Sequence, residues 1–228
     1  MHWVIHYDLY QLGLLTMSKQ VVVIDCGIGN VYSVCNALSH IGASPILSGD
    51  PTIIAKADRV ILPGVGAFSK AMENLRKQGL DDAIAKFIEA GRPFLGICIG
   101  MQVLMENSTE FGYYTGLGHI KGSVDRISNI LVSGSKVKVP HIGWDHVNII
   151  SSSFNKEINY IENNHGFFYF VHSYMCKPLS EVNVLATTSY YGNKINAIIG
   201  RDNIIGVQFH PERSGPAGLN FLINYIQH

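Results

Sequence analysis

The chain has 228 residues, 47% hydrophobic and 15% charged, enough for one large α/β domain or two small ones around a sizeable core. With 17 basic and 17 acidic residues the formal net charge is zero and no basic block appears, which argues against nucleic acid or an anionic membrane as the main partner. No apolar run approaches the ~18 residues of a membrane span. Cys26, Cys35, Cys98 and Cys176 contain no Cys-x-x-Cys pair, so neither a disulfide framework nor a metal site is expected, and a reducing cytoplasm fits best.

Residues 1–16 carry no Lys or Arg, and their apolar run at 12–15 is too short for a secretory signal; they read as an extension ahead of a single domain over 17–228. The β-branched run at 21–25 predicts a buried strand. Gly27-Ile28-Gly29-Asn30 and a helix over about 31–40 follow. Strand, glycine turn and helix resemble a dinucleotide fingerprint, but Tyr32 stands where the third glycine belongs, so a nucleotide cofactor is the weaker reading. A short strand at 45–47 precedes Asp50-Pro51, a helix-start signal. The strand at 59–62 runs into Pro63-Gly64-Val65-Gly66, and helices are expected through 78 and over 81–89.

The apolar run at 93–97 predicts a strand, and 101–106 the start of a helix. Between them sits Cys98, with Gly96 and Gly100 two residues to either side. This is the spacing of a nucleophile elbow with cysteine in place of serine. A sharp strand-to-helix turn strains its central residue and leaves no room for side chains two positions away. The positive end of a helix also favours a nucleophilic thiolate. The plain alternative is a buried structural cysteine.

Alternating strands and helices to this point imply a mostly parallel sheet, whose sites form at the C-terminal ends of its strands. Gly27–Asn30, Pro63–Gly66 and Cys98 all fall at such ends. After Gly118 the pattern turns β-rich and antiparallel, with strands expected at 119–127, 136–140, 145–150, 167–174, 184–190 and 204–209, and a closing helix at 217–226. The last strand leads into His210-Pro211-Glu212. Two residues apart on extended chain, histidine and glutamate face one side, and Pro211 keeps His210 extended. A carboxylate on one imidazole nitrogen fixes its tautomer and stabilises the imidazolium. With the elbow, this reads as a Cys-His-Glu triad.

Gly96-Ile97-Cys98-Ile99-Gly100-Met101-Gln102 together with Gly206-Val207-Gln208-Phe209-His210-Pro211-Glu212 resembles the class I glutamine amidotransferases, and Pro63-Gly64-Val65-Gly66 matches their oxyanion segment. Asp25–Asn30, Pro140-His141-Ile142-Gly143-Trp144 and Tyr169-Phe170-Val171-His172-Ser173-Tyr174 narrow the likeness to members that supply ammonia in histidine biosynthesis. The resemblance implies a flavodoxin-like α/β sandwich, mostly parallel at its centre and antiparallel toward the C-terminus. It implies hydrolysis of L-glutamine by Cys98, His210 and Glu212, with backbone N–H groups of Val65 and Ile99 as the oxyanion hole. Gly64, Gly66, Gln102 and Ser173 are implied to hold substrate. Asn30, Trp144, Tyr169 and Arg213 are implied to meet a (β/α)₈ cyclase subunit, with no cofactor. A relative feeding another synthase, such as one amidating a surface sugar, is the alternative. A non-catalytic module on the same scaffold is the rival from another class, and the intact triad argues against it.

Gln102 could instead be a polar surface residue, Trp144 plain core and His172 a satisfied core histidine; Cys26, Cys35 and Cys176 read as packing. Two positions depart from the family pattern: Asp145 where Asn is usual and Arg213 where Lys is usual. Both fall in segments expected at the partner surface. The peptide of Val65, flanked by glycines, is expected to rotate easily.

Overall fold

A computed structural model describes residues 20–130, 134, 136–150 and 166–227, so the extension expected at 1–16 lies outside the described residues. The first half alternates as expected. It runs β1 (Val21–Ile24), α1 (Val31–His40), β2 (Ile46–Ser48), α2 (Pro51–Ile54), β3 (Arg59–Gly64), α3 (Phe68–Lys77), α4 (Leu80–Glu89), β4 (Phe94–Cys98) and α5 (Ile99–Gln102). The second half carries β5 (Met105–Ser108), β6 (Tyr114–Thr115), β7 (Ile120–Arg126), β8 (His141–His146) and β9 (Asn148–Ile149). It continues through β10 (Phe167–His172), β11 (Tyr174–Pro178), β12 (Val184–Tyr190), β13 (Asn193–Arg201), β14 (Ile204–Val207) and α6 (Gly215–Gln227).

The main sheet has the order β2-β1-β3-β4-β14-β13-β12-β9. It is parallel from β2 through β14 and antiparallel beyond. Every residue of β1, β3, β4 and β14 is buried, the signature of strands covered on both faces. The pairing of β4 with β14 matters most for function, since it brings Ile97 beside Val207 and sets Cys98 at the end of one strand and His210 just beyond the end of its neighbour.

Local chemistry accounts for the helices. Asp50 caps α2 by accepting from Thr52 N–H at 2.8 Å, with Pro51 in the first turn. α3 buries Phe68, Ala71, Met72 and Leu75, an i, i+3, i+4, i+7 stripe. It stops where Gly79 adopts φ 66°, a left-handed conformation that glycine takes without penalty. Tyr225 of α6 donates to the carbonyls of Val60 and Pro93, tying the last helix to the starts of β3 and β4.

Several element boundaries differ from expectation. The helix after Cys98 is one turn long, and Met105–Ser108 is a strand instead, paired parallel with β7 in a second sheet of order β11-β7-β5-β6. Residues 136–140 form no strand beyond a single bridge from Lys136 to Ile130, because Pro140 lacks the N–H a ladder needs; the strand begins at His141. The expected strand at 145–150 is split between the β8/β10 hairpin-like pair and the main-sheet edge, with buried Val147 at the crossing. Residues 167–174 likewise divide into β10 and β11 at Ser173. β13 was not anticipated.

Candidate active site

Cys98 has φ 55° and ψ −107°, a conformation outside the regions open to ordinary L-residues and worth about 1–3 kcal/mol of strain. Its neighbours explain how the strain is held. A side chain built at Gly96 would run into the Gly100 carbonyl, and one at Gly100 into the Leu62 carbonyl. At Gly64 it would lie 2.8 Å from Ile99 Cβ. The three glycines therefore let β3, β4 and α5 close to backbone contact around the thiol. Gly66 meets nothing but has φ 111°, so its glycine answers a backbone need. A side chain built at Gly29, which has φ 114°, would lie 3.3 Å from Gly64 Cα, so the Asp25–Asn30 loop closes on the same sheet edge.

His210 Nδ1 lies 2.8 Å from Glu212 Oε1, and both side chains are almost wholly buried. Backbone contacts fix the ring: His210 N–H donates to Tyr169 O, and Ser214 Oγ donates to His210 O while accepting from Tyr169 N–H. The opposite nitrogen, Nε2, is buried with no hydrogen-bond partner among the described residues. Burial alone would lower the pKa of this imidazole. The Cys98 sulfur and the Glu212 carboxylate outweigh it and raise the value to about 10. The ring thus sits charged between the Cys98 sulfur and a carboxylate. The sulfur also receives Gln208 Nε2 at 3.6 Å, and Gln102 Nε2 donates to Gln208 Oε1 at 3.2 Å, fixing which way that amide points.

A cleft of about 400 Å³ opens on Cys98. Val65, Gly66, Ile99, Gln102 and Ser173, all singled out in the sequence, line it. Gly64 does not; it lies under Ile99. Gln102 is buried, not a surface residue, and its amide nitrogen donates to Tyr174 O as well as to Gln208. His172 lines the cleft with a pKa lowered to about 3, chiefly by burial, so it is neutral and takes no charge-bearing part, as expected of a core histidine. Burial pushes up the thiols of Cys26, Cys35 and Cys176, consistent with packing.

Trp144 and Tyr169 are cross-strand partners on β8 and β10, with rings edge to face at 5.9 Å. With half-exposed Ile142 and Phe167 they form an apolar outer face, so Trp144 is not plain core. Asn30 begins α1 through its carbonyl, and Arg213 is exposed beside the His210 turn. Asp145 corrects an expectation. Strand alternation turns it away from Trp144, and its carboxylate meets buried His141 at 2.6 Å. That departure lies inside the hairpin pair, not on its outer face.

Three residues escaped the sequence reading. Glu110 is the one acidic residue lining the cleft among the described residues, and its Oε2 accepts from Phe68 N–H at 2.5 Å. No local pattern marks it, because its partner lies 42 residues away. Ser214 is equally silent in sequence. Gln208, two residues before His210 at a buried strand end, carried a signal that alternation could have read.

Comparison with known proteins agrees with this geometry. The family model described as glutamine amidotransferase class-I matches residues 22–227. Imidazole glycerol phosphate synthase subunit HisH of Geobacillus thermodenitrificans is 45% identical over 204 residues, covering 90% of this chain and 93% of that protein. The protein of the same name from Bacillus velezensis is 42% identical over 205 residues, covering 90% and 94%. Among solved structures, PurLQS from Thermotoga maritima superposes with a TM-score of 0.68 at 19% identity, covering 92% of this chain and 98% of that one, a likeness of fold.

Proposed function

The chain belongs to the class-I glutamine amidotransferases, and from that premise we propose that it is the glutaminase subunit of an imidazole glycerol phosphate synthase, releasing ammonia from L-glutamine for a cyclase subunit in histidine biosynthesis. The observation that carries the reading is a strained cysteine at the floor of a cleft, beside a buried imidazole that its sulfur and a carboxylate together hold charged.

In this reading the Cys98 thiolate attacks the side-chain amide carbon of glutamine. Negative charge develops on the amide oxygen, where the N–H groups of Ile99 and Val65 receive it; Ile99 opens a helix, so its N–H has no acceptor within that helix. The charged His210 gives its Nε2 proton to the departing ammonia, leaving a thioester. The neutral ring then takes a proton from water, which attacks the thioester and frees glutamate and the thiolate. Glu212 holds Nδ1–H throughout. Glutamine and water enter; glutamate and ammonia leave.

Substrate selection follows from the cleft walls. Glu110 supplies a carboxylate for the α-ammonium group, while Ser173, Gly66 and the Gln102 carbonyl, whose amide nitrogen is already engaged, face the remaining polar groups. Glu110→Gln is expected to raise KM for glutamine about 10–100-fold, the scale of one charged hydrogen bond, with a smaller change in kcat. Steady-state glutamate release by the chain with its cyclase measures this; an unchanged KM removes Glu110 from the site.

The outer face of β8 and β10, with Asn30 and Arg213 near its rim, is the surface we assign to a (β/α)₈ cyclase. Arg213 favours a second reading, a different acceptor synthase. Deleting the gene separates the two: histidine auxotrophy supports the first, and growth without histidine in a strain with no second copy supports the other.

A further inference from the structure

Beneath the cleft, three side chains form a line whose hydrogen count does not close. Asp145 Oδ2 lies 2.6 Å from His141 Nε2, His141 Nδ1 lies 3.0 Å from His172 Nε2, and His172 Nδ1 lies 2.8 Å from Tyr174 O. Both ends, an ionised carboxylate and a backbone carbonyl, only accept. Three contacts need three ring protons, and two neutral imidazoles carry one each. Either one contact is unmade or the line holds one extra proton.

We propose that Asp145, His141 and His172 are positioning residues for the glutamine cleft: loaded with one extra proton, the line is fully bonded and holds the Ser173 turn in place, and unloaded, one contact opens and the turn slackens. The inference rests on reading the cleft as the glutamine site. Its reach into the cleft is direct, since His172, Ser173 and Tyr174 all line it, and Tyr174 O is the atom that also receives Gln102 Nε2.

The surroundings place the extra proton. His172 is held to about 3 by burial first, with the charges of His141 and His210 acting the same way, so it stays neutral. That leaves the His141–Asp145 end. From β12, Tyr190 stacks on His141 at 4.1 Å with its phenol pushed up by burial, so it stays uncharged; from β10, Phe170 stacks at 4.7 Å. Burial lowers His141 and Asp145 partly restores it, so the proton is present at low pH and leaves as pH rises through a value below the ordinary 6.5. Asp145→Asn removes the deficit without a proton. The amide N–H donates to His141 Nε2, and both neutral rings then donate toward Tyr174.

The test uses the full chain with its cyclase for kinetics and the ¹⁵N-histidine-labelled full chain for NMR. In the wild type, KM for glutamine is expected to rise about threefold to tenfold from about pH 5 to about pH 8, the scale of one hydrogen bond. His141 is expected to show both nitrogens protonated at the acid end and only Nδ1 at the alkaline end. In Asp145→Asn, KM is expected to keep the low wild-type value throughout, with Nε2 unprotonated at every pH. A His141 ring that never carries two protons in the wild type overturns the proposal, and the NMR result stands whether or not the chain hydrolyses glutamine. An Asp145→Asn variant that retains the wild-type KM transition overturns it equally.

Discussion

Cys98→Ala is expected to abolish glutamine hydrolysis, a loss on the order of 10⁵–10⁶-fold in kcat, the scale of removing a triad nucleophile. No neighbouring group can replace the sulfur. Cys176 lies near enough to feel the Cys98 charge, but burial pushes its thiol well above the ordinary value; Cys26 is buried and Cys35 partly so, and Gln208, which approaches Sγ, carries an amide. The fold is expected to survive, since the elbow is built by backbone closing over Gly96, Gly100 and Gly64 rather than by the thiol. One stability signature should change. His210 is raised from 6.5 to about 10, so its pairing contributes stability that is complete below about 6.5 and fades as pH rises toward 10. Without the sulfur the ring keeps only Glu212, and the alkaline fall in melting temperature should be shallower. Circular dichroism melts across that range, beside a glutamate-release assay, check both points. Glutaminase activity retained in the variant would remove Cys98 from the mechanism.

Gly100→Ala is expected to damage the fold itself. Its methyl group would occupy the position of the Leu62 carbonyl, in the middle of β3, and neither backbone can yield without parting β3 from β4. Overpacking against backbone belongs at the upper end of the range for core insertions, about 3 kcal/mol or more. In a chain of this length that corresponds to a melting temperature lower by about 10 °C. Ala at Gly66 is a useful comparison, because the space there is open and only φ is unfavourable. Thermal melts of the two variants should rank Gly100→Ala as the more severe; the reverse order would mean that backbone conformation, not closeness, governs the elbow.

The parallel half of the fold was legible because its strands are continuous apolar runs and its helices have clean stripes and stops, as at Gly79. The meeting of Cys98, His210 and Glu212 was legible because spacing itself is the chemistry: glycines two residues from Cys98, and Glu212 two residues from His210. What the sequence hid depends on distance along the chain. Met105–Ser108 has helical neighbours and becomes a strand only because β7 lies beside it. β13 mixes Asn and Lys with its apolar residues, since Asn196 turns its side chain to the Cys176 carbonyl while Ala197 and Ile198 are buried. Glu110 reaches the cleft through Phe68. Asp145 shows the opposite failure. One residue of strand alternation decides which face of β8 a side chain takes, and here the Asp145 carboxylate meets His141.

In the proposed function, Cys98 makes ammonia for a cyclase. The most direct measurement is formation of imidazole glycerol phosphate by the cyclase with this chain, supplied either with glutamine or with an ammonium salt. Product is expected from both nitrogen sources with the wild-type chain, and from the ammonium salt alone with Cys98→Ala. Glutamine-dependent product formed with Cys98→Ala, or none formed with the wild-type chain while ammonium supports turnover, would contradict it.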